Sequence, residues 1–116
     1  MATLVTSSPT TLEWLNKIRS EIERTCPSLK YQESKYYSSF KSLKTNRNIA
    51  YLHPQKTQIR LFTRLDSSYD KVLKPTPSSG SWAEMYPSIF VIKSEDMIKK
   101  AIELITKSYE YDQKGV

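Results

Sequence analysis

The hydrophobic period of this chain changes twice, and that change limits the folds open to it. Leu12, Trp14, Leu15, Ile18 and Ile22 recur at helical spacing near the N-terminus. Met97, Ile98, Ala101, Ile102, Ile105 and Tyr109 do the same near the C-terminus, with Leu104 widening the stripe. Between them the period is two. Tyr36, Ser38 and Phe40 alternate with Tyr37, Ser39 and Lys41. Ile59, Leu61, Thr63 and Leu65 alternate with Gln58, Arg60, Phe62 and Arg64.

Punctuation between these runs sets the expected boundaries. Thr10 stands three before Glu13, a capping-box spacing, so a helix is predicted from Thr11 to Arg24, stopped by Pro27. The runs 35–41, 48–53 and 57–65 are separated by the turn segment 43–48 and by Pro54-Gln-Lys, which predicts an antiparallel meander. Residues 66–80 lack periodicity, and Tyr69, Val72 and Leu73 give them one irregular helical turn. A further strand is predicted over 86–93, with the apolar run Ile89-Phe-Val-Ile92. Ser94 is the expected N-cap of the second helix, with Glu95 and Asp96 in its first turn and an end near Tyr111.

Helices and strands with one apolar face each must cover one another. The expected fold is α+β, a two-layer sandwich of about four antiparallel strands with both helices on one face. Residues 10–112 form its single domain, flanked by an N-terminal tail over 1–9 and a C-terminal tail over 113–116. Apolar runs reach only a few residues, far short of the roughly 20 that a membrane helix requires. The opening residues lack the basic start and apolar core of a secretory signal. With these absences, a single cysteine points to the cytoplasm and rules out an internal disulfide.

Catalytic groupings are sparse. His53 is the only histidine, which excludes a multi-histidine metal site. The glycines, Gly80 and Gly115, build no phosphate-cradling loop. Cys26 precedes Pro27 at a helix end and suits a small buried apolar position. Glu33-Ser-Lys35 is a fragment of the acid-and-lysine set of metal-dependent nucleases, but the nearest upstream acids, Glu21 and Glu23, fall on the helix. No catalytic residue, metal or cofactor is expected, and the chain is expected not to be an enzyme.

The net charge of +6 is unevenly placed. Residues 30–74 hold ten of the 18 basic groups against three of the 12 acidic ones, a net +7, which leaves −1 for the remainder. Such a concentration attracts nucleic acid or another polyanion, or else simply solvates the surface. Arg60, Phe62 and Arg64 put an aromatic ring between two guanidinium groups on the strand face opposite the expected core, a pattern that suits stacked bases and phosphates. Lys41, Lys44, Arg47 and Lys56 would add phosphate contacts, and Tyr37 would share the face. The plainer alternative packs Phe62 under the 66–87 loop and pairs the arginines with Asp66, Asp70 or Glu84.

Trp82 and Tyr86 close the segment 75–87 and are read as loop anchors or pocket walls. Two further functions stay open. One is a protein-interaction module, including a homodimer through a strand edge or the 75–87 loop. The other is a small-molecule pocket or enzyme between the sheet and the 66–87 loop, with Glu33, Lys35 or His53 as polar groups.

The strings YYSSFKS, RNIAYLHPQKTQIRLFTRL, GSW and VIKSEDMIKKAIELITKSYE resemble a small uncharacterised domain family known as predicted transport proteins. The likeness spans about residues 35–110 and rests on Phe40-Lys41, on Pro54-x-Lys56, and on Ser94-Glu-Asp ahead of a helix that carries Leu104-Ile and Ser108-Tyr109. Members occur alone or appended to nuclease- and restriction-related proteins. The strand order is more distantly similar to MmcQ/YjbR-like proteins. The resemblance implies an α+β fold and a nucleic-acid context, with no known reaction.

Overall fold

Helix α1 (Pro9–Thr25) begins two residues before the expected start. Ser8 is its N-cap: the Ser8 hydroxyl accepts from the Thr11 N–H at 3.2 Å, and the Ser8 N–H donates to Thr11 Oγ1 at 2.9 Å. Pro9 takes the first helical position, where a missing N–H costs nothing. That arrangement displaces the expected Thr10–Glu13 box. The segment predicted as a tail thus holds the cap. Ser8 also donates to the Lys56 carbonyl at 2.7 Å, which ties the helix start to a strand turn. Cys26 closes the helix and is buried.

A computed structural model describes residues 7–77 and 84–114. After α1 come β1 (Leu29–Glu33), β2 (Ser38–Ser42), β3 (Asn48–Pro54), β4 (Ile59–Thr63), β5 (Lys74–Pro75) and β6 (Ser88–Ile92). A single turn of 3₁₀ helix (Glu95–Met97) leads into α2 (Ile98–Lys114). Ser94 makes no capping bond there, because its hydroxyl goes to the Asp96 carboxylate. The last helix therefore opens with a tighter turn than expected, and it runs past Tyr111.

The sheet order is β1-β2-β3-β4-β6-β5, with every pair antiparallel. The α+β class matches the expectation, but the sheet has six strands rather than four. The two unforeseen strands, β1 and β5, are its edges. Asn46 has φ 62° in the β2–β3 turn, a left-handed position that asparagine tolerates. A bulge follows: Phe40 faces Ala50 while Lys41 faces Asn48, so Ile49 has no partner in β2.

Both helices pack on one face. Trp14, Leu15, Ile18 and Ile22 of α1 share one core with Ile98, Ala101, Leu104 and Ile105 of α2. The sheet contributes Phe40, Leu52, Ile59, Leu61, Phe90 and Ile92 to the same core. Each such buried aliphatic side chain contributes about 1.5–3 kcal/mol. Leu73 joins this core from the segment after β4. That segment is shaped by Asp66 and Asp70, whose carboxylates accept the N–H groups two residues on, at 2.9 and 3.1 Å.

Candidate polyanion-binding face

Residues directly opposite in antiparallel strands point their side chains to the same side of the sheet. Three rows result on the face away from the helices. The central row is Gln32, Ser39, Tyr51, Phe62, Ile89 and Lys74. Beside it lie His53, Arg60 and Val91, with the Tyr37 ring against His53 at 4.8 Å between centroids. On the other side lie Lys30, Lys41 and Asn48. The rows carry four basic residues and no carboxylate.

Lys30 and Lys41 stand directly opposite one another. Like charges so placed repel, and neither lysine has an ion pair among the described residues. Arg60 also lacks an ion pair there. Burial first, and then the Arg60 guanidinium, hold the neighbouring His53 below its ordinary value of 6.5.

The alternation of 57–65 gives the correct faces, but Phe62 is not an open stacking platform. It is only 6% exposed and forms a second apolar cluster with Tyr86 and Ile89, against Tyr51 and Val91. Tyr86, expected as an anchor or pocket wall, is the largest side chain of this cluster and is fully buried. Its hydroxyl donates to the Asn48 carbonyl at 3.2 Å, and burial pushes its pKa up to about 12. Trp82 lies outside the described residues.

Arg64 is held by contacts within the protein. Its guanidinium lies 5.2 Å from the Tyr86 ring centroid, and its Nε donates to the Asn48 carbonyl at 2.7 Å. Arg47 donates through Nε to Asp112 at 2.8 Å, where Thr45 also donates at 2.5 Å. Asp112, on α2, has a side chain only 2% exposed and stands 3.9 Å from Arg64 Nε. The expected partners Asp66, Asp70 and Glu84 are thus replaced by Asp112, and Asp70 pairs instead with Lys100 at 2.6 Å. Lys44 is exposed in the β2–β3 turn. Lys56 is at the opposite end of β3, where its ammonium donates to the Ser7 carbonyl at 3.3 Å. Of the six basic residues predicted to bind nucleic acid, only Lys41 and Arg60 stand in the outer-face rows without an ion pair among the described residues.

A depression opens in the central row where Ser39, a short side chain, separates Gln32 from Tyr51. Its cavity of about 270 Å³ is lined by Gln32, Glu33, Ser34, Tyr37, Ser39, Asn48 and Tyr51. The Tyr37 and Tyr51 rings meet edge to face, with centroids 6.1 Å apart. Asn48 donates to the Tyr51 hydroxyl at 3.0 Å, and its own side-chain oxygen has no hydrogen-bond partner among the described residues. Sequence reasoning misses Lys30 and Gln32 as site residues because it does not find β1. The alternation of Leu29 and Tyr31 with Lys30 and Gln32 is the signal that could have found them.

A family model described as a domain of unknown function, DUF5655, matches residues 2–112. The chain belongs to this family. The DUF5655 match covers α1, the six strands and α2 as far as Asp112, and so the whole outer face. It supports the uncharacterised-domain part of the resemblance and carries neither the transport description nor the MmcQ/YjbR kinship. No curated protein and no solved structure matches the chain. Among the described residues, no helix is long and apolar enough to cross a membrane.

Proposed function

We propose that this domain is a non-enzymatic binding module for a polyanion, held on the sheet face away from the helices. The observation that carries the reading is the Lys30–Lys41 pair. It sets two unneutralised ammonium groups side by side on a face whose rows contain no carboxylate. The repulsion between them costs stability in the free protein, and an anion lying across both relieves it. Arg60 extends the positive strip toward β4, and Lys74 stands at its far edge. The centre expected at Arg60, Phe62 and Arg64 gives way to one at Lys30, Lys41 and Arg60.

Binding of this kind neutralises phosphates and releases counterions, so affinity for a single strand falls steeply between about 50 and 200 mM salt. Replacing Lys30 and Lys41 together by alanine weakens binding. It also shallows the log–log salt slope by about 0.7 for each phosphate that is no longer neutralised. Fluorescence anisotropy of a labelled oligonucleotide across a salt series measures both. A double variant with unchanged affinity and slope would place the anion elsewhere. The same substitutions leave thermal stability unchanged or raise it, because they remove a repulsive pair.

A further inference from the structure

The depression over Ser39 sits beside the lysine pair and differs from it in chemistry. Gln32 and Lys30 alternate along β1, and Ser39 and Lys41 alternate along β2, so the cavity and the ammonium groups are adjacent on one face. The cavity walls are amide, hydroxyl and aromatic groups; Glu33 also borders it, but alternation along β1 turns its side chain to the other face, where its carboxylate accepts from the Tyr31 hydroxyl at 2.7 Å. None of these walls offers a positive charge to hold a phosphate. A ligand that bridges the two regions must be anionic over Lys30 and Lys41 and uncharged, polar and flat over Ser39. A nucleotide has that division: a phosphate for the lysines and a base for the cavity.

We infer that the cavity over Ser39 receives one unpaired base of a single-stranded nucleic acid whose backbone crosses Lys30 and Lys41. This rests on the polyanion reading above and names the ligand class. At about 270 Å³ the space falls below that of drug-sized ligand pockets, roughly 300–1,000 Å³, and suits a single ring system. Because the Tyr37 and Tyr51 rings are perpendicular, a base can lie flat on one and meet the edge of the other. The Gln32 amide and the Ser39 hydroxyl supply donors and acceptors for the base edge. A base inside a duplex cannot enter, so duplex DNA binds through its phosphates alone.

The test compares two labelled strands of about 12 nucleotides, equal in length and charge, one carrying cytosines and the other abasic throughout. Stacking of one base predicts binding of the cytosine strand at least about fivefold tighter. Ser39→Leu fills the depression and brings the cytosine strand down to the abasic level, with abasic affinity unchanged. Gln32→Ala, at an exposed position, is the second variant should Ser39→Leu fail to fold, and it weakens only the cytosine strand. Equal affinity of the two strands for the unaltered protein overturns the base pocket while leaving the polyanion reading standing. Absence of binding by either strand at low salt removes both.

Discussion

His53 shows how one residue reports on the whole outer face. It is half-buried against Tyr37, directly opposite Arg60, and both burial and that guanidinium disfavour its protonation. The folded pKa lies below the unfolded value, so the unfolded chain binds the proton first as pH falls. The contribution of His53 to stability is therefore complete above pH 6.5 and declines as pH drops from there toward the folded pKa. An NMR titration of the imidazole is expected to give a pKa below 6.5. Arg60→Gln raises it but leaves it below that value, since burial is the larger cause. A wild-type pKa at or above 6.5 would contradict the arrangement. Phe62 illustrates what a residue pattern conveys. Alternation along 57–65 assigns its face correctly, but it carries no information about what lies over that face. The covering groups Tyr86 and Ile89 come from about 25 residues downstream, and strand pairing brings them there.

Elements are legible in proportion to their length and to how much of their pattern is apolar. Both 17-residue helices show a full stripe, and β3, β4 and β6 have strong alternating or apolar runs. β1 offers only Leu29 and Tyr31, and the two-residue β5 contains Pro75, which is tolerated at a sheet edge. Helix starts are the weakest point, because Ser8–Thr11 and Thr10–Glu13 both have capping spacing and only the position of Pro9 favours the first. Asp112 escapes sequence reasoning altogether, since nothing local marks a carboxylate on a helix as the partner of a distant turn. It nonetheless joins α2 to the β2–β3 turn through Thr45 and Arg47. Asp112→Ala removes those charge-assisted bonds from a buried site and is expected to lower unfolding free energy by about 1–3 kcal/mol. Urea denaturation measures it, and an unchanged midpoint with unchanged slope would show the interaction to be idle.

For the molecule as a whole, the excess of charge in residues 30–74 is plain in the sequence, but its meaning depends on topology. Folding divides seven of those ten basic groups among different tasks. Arg47 and Arg64 serve Asp112, Lys56 holds the start of α1 through Ser7, and Lys30, Lys41, Arg60 and Lys74 line the outer face. The helices and the sheet's inner face are committed to the core, which leaves the β1–β3 half of the outer face as the broad polar surface nearest the unneutralised charge. The most direct measurement is amide NMR shift mapping during titration with a single-stranded oligonucleotide at low salt. Shifts are predicted to concentrate at Lys30, Gln32, Ser39, Lys41, Tyr51 and Arg60, and to fade as salt rises. Shifts confined to α1 and α2, or no shifts at all, would contradict a polyanion-binding face on this side of the sheet.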